Sequence, residues 1–195
     1  MDTAHTISDF DVLVSVDIGL QGGIAFFDVL SGEVLALYSM PTNKIVTSSG
    51  RNKGELDIPK LKFILEIPHV KSETALVVLE SVHAFPGQGV VAMATLMEQK
   101  GIIRGLCSGL GYDEFLVEPK TWQKHYDMIP PKDLKGASAS RTKTLRKQWL
   151  KDTSLERARS LFPEWAETKL APKTAHGLSD SLLIGKWYLE NNTPD

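Results

Sequence analysis

Five short runs of β-branched and other apolar residues, unevenly spaced, constrain this chain more than any other feature. VLVSV at 12–16, IAFFDV at 24–29 and VLALYSM at 34–40 follow one another through turns carrying Gly19, Gly22, Gly23 and the Ser31–Gly32 pair. That spacing predicts an antiparallel meander of three strands. LVVLE at 76–80 and FLVEP at 115–119 are each preceded by enough chain for a helix, as parallel strands require. Asp57 before Ile58 and Pro59 reads as an N-cap, and Leu61, Ile64 and Leu65 recur at helical spacing behind it. Residues 89–110 carry apolar side chains on both faces of a long helix, from Val90 and Met93 to Ile103 and Leu110, which predicts burial on two sides. The polar stretch from Asn43 to Gly54 reads as a mobile loop. Beyond the proline-broken basic stretch 120–151, a helix is predicted from about 153 to 161, stopped near Pro163, and a last one from about 174 to 190. The sum is an α/β chain: a five-stranded mixed sheet, three strands antiparallel then two parallel, flanked by helices on both faces. With no internal repeat and no convincing boundary, 1–195 reads as one domain with its core at about 12–190.

Composition narrows the classes. At 195 residues, with 42% hydrophobic and 24% charged residues, the chain suits a globular fold and excludes collagen-like, coiled-coil and disordered readings. A single cysteine, Cys107, cannot make an internal disulfide, and no Cys/His spacing suggests a zinc finger, so a reducing compartment is expected. No apolar run is long enough to span a bilayer, and the opening MDTAHTISDFD is too acidic and polar for a signal or transit peptide. These features lean towards a bacterial cytoplasm, with an organelle, after loss of a presequence, as the alternative.

Net charge is −2, yet its distribution is lopsided. Residues 132–160 hold nine Lys/Arg against three acids, whereas residues 1–131 hold ten against sixteen. A basic segment beside an acidic remainder suits a protein that grips a polyanion with one region and keeps carboxylates in another; a solvated helical face would also carry such charge.

The acids fall at informative places. Asp17 ends the first strand, Glu80 ends the fourth, and Asp180 follows His176 by four residues on the last helix, so that the two can share a face. Strands one and four, neighbours through a helical crossover, would bring Asp17 and Glu80 side by side. Each residue also has a purely structural use: Asp17 in shaping a turn, Glu80 in pairing with a lysine, His176 in capping its helix. Three converging carboxylates and an imidazole together suit hard divalent cations, Mg²⁺ or Mn²⁺.

Four segments, VSVDIG, VLESVHAFPGQG, VEPKTWQKHY and AHGLSDSLLIG, resemble the motif regions of RuvC-type Holliday junction resolvases. The forms FPGQG, PKTWQKHY and HG-x-x-D-x-LLI are most similar to the branch containing bacteriophage resolvases and the monokaryotic chloroplast resolvase of plants. The resemblance spans about residues 12–190 and implies an RNase H-like fold, with Asp17, Glu80, His176 and Asp180 as metal-binding and catalytic set. Many relatives carry an acid where His176 stands, which leaves this set one negative charge poorer.

The expected chemistry is hydrolysis of a DNA phosphodiester assisted by two metal ions, with Asp17 bridging them. Lys120 or Lys124, flanking Trp122, would place a cation near the scissile phosphate, while Trp122 itself reads as a core residue. Arg141, Lys143, Arg146 and Lys147, with nearby hydroxyls, are candidates for the phosphate backbone, and His83, Phe85 and Gln88 for contacts near a junction centre. Two symmetrical cuts in a four-way junction require a C₂ homodimer, for which helix 89–110 is the expected interface. The competing readings are an RNase H-like enzyme cutting RNA in hybrids and a non-catalytic junction-binding module. An actin-like kinase or ATPase fits less well, since no second Asp-x-Gly phosphate loop follows.

Overall fold

The computed structural model describes residues 6–46, 48, 50, 52–67, 74–83 and 89–192. Among these residues, seven strands and six α-helices follow a short 3₁₀ turn at Ile7–Asp9: β1 (Val12–Asp17), β2 (Gly23–Asp28), β3 (Val34–Ser39), β4 (Thr42–Val46), β5 (Asn52–Leu56), α1 (Ile58–Leu65), β6 (Ala75–Glu80), α2 (Val90–Gly109), β7 (Asp113–Val117), α3 (Pro119–His125), α4 (Ala139–Leu161), α5 (Pro163–Ala166) and α6 (His176–Asn192). The main sheet has the order β3-β2-β1-β6-β7, with β1, β2 and β3 antiparallel and β1, β6 and β7 parallel. The mixed five-stranded sheet expected from the apolar runs is therefore present.

Strand alternation sorts the core into two layers. Leu13, Phe27, Leu76 and Val78 face Trp122, Leu155, Leu178 and Leu182 of α3, α4 and α6. Val14, Val16, Phe26, Val77 and Leu79 face Leu61, Leu65, Ile103 and Cys107 of α1 and α2. Burial on both faces is why β1 and β6 read as continuous apolar runs rather than as alternating strands. α1 starts where expected, with the Asp57 carboxylate accepting from the Lys60 backbone N–H at 3.1 Å.

Three expectations are corrected. The polar stretch 43–54 is not a loop throughout: 43–46 and 52–54 belong to a separate two-stranded antiparallel sheet, β4 with β5, in register from Thr42↔Leu56 to Val46↔Asn52. The helix expected from 153 begins at Ala139, capped by the Ser138 hydroxyl, so most of the basic tract is helical. α2 is buried along one face only: Gln99, Ile103 and Cys107 are inside, while Val90 and Val91 are 83% and 79% exposed.

Candidate active site

Alternation along the two parallel strands aims their terminal acids. Val16 pairs with Leu79, so Asp17 and Glu80 occupy the next positions along β1 and β6. Odd residues of β1 and even residues of β6 face the layer of α3, α4 and α6, and Asp17 and Glu80 continue that phase. Both carboxylates thus sit at the carboxyl edge of the sheet, the edge at which open α/β sheets place ligands.

The third acid arrives on α6 through a close backbone contact. Gly22, in the turn after Asp17, forms an isolated parallel bridge with Gly177. A Cβ on Gly177 would stand 2.0 Å from the Gln21 carbonyl oxygen and 2.4 Å from the Gly22 carbonyl carbon, so only glycine permits this approach. Deeper in the interface the Ser15 hydroxyl donates to the Ser181 carbonyl at 2.7 Å, and a Cβ on Gly185 would meet the Phe27 ring at 2.2 Å. The start of α6 is thereby fixed beside the end of β1, with Asp180 one turn along.

Asp17, Glu80 and Asp180 act on one another as like charges in a poorly solvated place. Burial, then the charges of Asp180 and Glu80, hold the Asp17 carboxyl well above the usual carboxylate range. Burial and the Asp180 charge push Glu80 up to about 7, and burial pushes Asp180 up to about 6. Opposing these shifts is Lys151 of α4, whose ammonium lowers both Asp17 and Asp180. Lys151 was not legible as a site residue, because in the sequence it is one cation in a run of them.

Two of the acids are also tethered. Glu80 Oε1 accepts from the Trp122 indole at 3.1 Å, and Asp180 Oδ1 accepts from the Ser154 hydroxyl. Ser154 in turn pairs with the Ser179 hydroxyl at 3.0 Å, and Ser179 donates to the His176 carbonyl at 2.8 Å. Ser154 is a second residue the sequence did not single out, since a buried serine on a polar helix carries no distinguishing signal. His176 opens α6, and its Nδ1 is buried with no hydrogen-bond partner.

The other predicted residues are placed by the contacts and clefts of the described chain. His83 shares its Nε2 between Glu118 (2.7 Å) and Ser81 (2.9 Å), tying the chain after β6 to the start of α3. Phe85 and Gln88 fall outside the described residues. Lys120 and Lys124 are exposed on α3 and line a cleft of about 390 Å³ with Gln123, Met128, Ile129, Pro130 and Leu150. Lys143, Arg146 and Lys147, with Lys135, line a wider one of about 840 Å³ that shares Leu150, the neighbour of Lys151. Arg141 is exposed in the first turn of α4.

Among the described residues no three His, Cys, Asp or Glu side chains stand close enough to cage an ion unaided. The donor set nonetheless fits a hard divalent cation. Ionised, the three acids repel one another in a partly buried place, which a cation relieves, and the buried, unpartnered His176 Nδ1 lies one turn before Asp180 on α6.

No protein-family model and no curated protein sequence matches the chain. Solved structures do. A structure described as T. thermophilus RuvC in complex with Holliday junction substrate superposes with a TM-score of 0.50 at 13% identity, covering 93% of this chain and 96% of that one. A Thermus thermophilus RuvC structure aligns over 93% of this chain and 97% of its own at 13% identity, with a TM-score of 0.44. The fold is thus of the RNase H-like α/β class. Within that class, the chain has the fold of RuvC.

Proposed function

We propose that the protein is a structure-selective DNA endonuclease that resolves four-way junctions by paired, metal-dependent phosphodiester hydrolysis. The observation that carries this reading is the convergence of Asp17, Glu80 and Asp180, from three separate elements, at the carboxyl edge of the sheet. The shared fold with a RuvC that has been seen with a Holliday junction supports the choice of substrate. In this reading residues 1–195 act as one nuclease domain, and the buried free thiol of Cys107 suits a reducing cytoplasm or organelle.

Asp17, Glu80, Asp180 and the His176 Nδ1 would hold Mg²⁺, with Mn²⁺ as substitute and two ions as the expected number. Such ions neutralise phosphodiester charge and activate a water for in-line attack. Asp17, which feels both other acids, would be the central ligand of the set. Trp122 and Ser154 orient Glu80 and Asp180. Lys151 offsets the carboxylate charge before DNA arrives and would meet the phosphate. Lys120 and Lys124 line a cleft with Leu150, the residue before Lys151, and are candidates for the same phosphate contact. Arg141, Lys143, Arg146 and Lys147 hold the backbone of the bound strand, and the chain through His83, Phe85 and Gln88 meets the junction centre. Val90 and Val91, exposed at the start of α2, suit burial in a C₂ homodimer whose two sites cut symmetrically.

The test is incubation of the protein with labelled four-way junction, RNA/DNA hybrid and plain duplex, with and without Mg²⁺. Symmetrical, Mg²⁺-dependent nicks confined to the junction, abolished by Asp17→Asn, are the expected result. Cleavage of the hybrid alone, or cleavage that survives Asp17→Asn, overturns the proposal.

A further inference from the structure

The β4–β5 hairpin is unaccounted for by the proposed chemistry. It pairs with no strand of the main sheet, and an isolated two-stranded hairpin is marginal in water unless something anchors it. It is anchored at its base, and β5 also borders α2, where Lys53, Gly54 and Glu55 line a small cleft with Thr95, Glu98 and Gln99. Leu56 is buried in the α1/α2 layer, the Asp57 N–H donates to the Pro41 carbonyl at 3.0 Å, and Gly54 lies against Leu20, where a Cβ would stand 3.1 Å from Leu20 Cδ1. Leu20 belongs to the turn that leaves Asp17, so the hairpin rises from the rim of the acid cluster. Beyond the base it is open: Lys44, Asn52 and Lys53 are exposed, and Val46 is 71% exposed.

Its charge runs against its surroundings. Residues 42–56 hold Lys44, Arg51 and Lys53 against one acid, Glu55, within the acidic segment 1–131. Lys44 and Lys53 make no ion pair among the described residues. The hairpin base packs with the α1/α2 layer, whereas basic α4 packs with the α3/α6 layer. Two cationic elements therefore flank the carboxyl edge of the sheet from its two faces, with Asp17 between them.

We infer that the β4–β5 hairpin is a second DNA-contacting element, in which Lys44 and Lys53 hold the phosphate backbone of a duplex arm across the site from α4. This rests on the DNA-cleaving reading above. The alternative use of such lysines, keeping exposed strands from pairing with other chains, predicts aggregation rather than weaker DNA binding when they are removed.

The experiment is a salt titration of junction binding without divalent metal, comparing wild type with Lys44→Ala/Lys53→Ala, and with Arg146→Ala/Lys147→Ala as reference. The hairpin variant is expected to lose about tenfold in affinity near physiological salt and to reduce the slope of log affinity on log salt by about 2. At saturating enzyme its single-turnover nicking rate should match wild type. An unchanged slope and affinity in the soluble hairpin variant, with wild-type binding intact, overturns this inference alone, as does a variant that merely aggregates. Failure of the wild type to bind any DNA overturns the underlying reading instead.

Discussion

The Trp122 indole, itself fully inside the core, donates to Glu80 Oε1 at 3.1 Å, so one end of a buried aromatic side chain orients a carboxylate at the rim of the sheet. This bond favours the ionised acid, opposing burial and the Asp180 charge. In Trp122→Phe the acid limb of the pH–rate profile for cleavage should move to higher pH, with a stability loss of about 2 kcal/mol from the smaller ring and the lost bond. Loss of stability without movement of the limb would assign Trp122 to packing alone.

Ser154 does the same for Asp180. Ser154→Ala should fold, since the change is small, but should weaken metal binding measured calorimetrically and shift the acid limb upward, whereas Ser154→Thr, which keeps a hydroxyl, should restore a share of both. Equal metal affinity in the wild type and in Ser154→Ala would remove this positioning role.

Stability without metal should fall as pH rises. Glu80 and Asp180 have folded values of about 7 and about 6, above those of an unfolded chain, so between about pH 4 and pH 7 the folded state binds more protons than the unfolded one. Unfolding free energy then declines through that window and levels off above it. Urea titrations in EDTA at pH 5 and pH 8 measure this, and Mg²⁺ should recover the loss at pH 8. A protein equally stable at both pH values in EDTA would show that the acids are solvated.

Removing one of the repelling charges should stabilise the fold while abolishing its chemistry. Asp17→Asn at pH 8 in EDTA is expected to gain about 1 kcal/mol, by analogy with one pKa unit of relieved strain, and to lose Mg²⁺-stimulated cleavage. Calorimetric melting alongside the nicking assay tests both halves, and a destabilised Asp17→Asn protein would contradict the picture of mutual repulsion.

Gly177 tests how α6 is docked. Because its Cβ would meet the backbone of Gln21 and Gly22, Gly177→Ala should cost about 3 kcal/mol and displace Asp180 from Asp17. Chemical denaturation gives the first effect and metal affinity the second; an alanine tolerated without loss would mean that the helix can shift freely.

What the sequence disclosed follows from what each element buries. β1, β2 and β6 announce themselves because their residues are covered on both sides, and Asp17 and Glu80 stand out as acids ending apolar runs. β4 and β5 were invisible because they are largely exposed, so Thr42, Asn43, Lys44 and Asn52 carry no apolar alternation. The first half of α4 was hidden for the same reason: from Ala139 to Lys151 its polar residues show no helical stripe, and only Leu155 and Ala158 signal a buried face. Lys151 and Ser154 owe their importance to the packing of α4 on α6, a relation that no local pattern records. Trp122 was legible as a core residue, but its bond to Glu80 was not.

The docking of Gly177 on Gly22 has a consequence for biosynthesis. The acids at positions 17, 80 and 180 come together only when β1, β6 and α6 have packed, and α6 leaves the ribosome long after both strands. A nascent polypeptide carries the two strand acids well before it carries Asp180, so the full charge cluster cannot form until α6 has been made. On the proposed reading, cutting would be postponed to that moment, and a polypeptide truncated ahead of α6 would lack both His176 and Asp180.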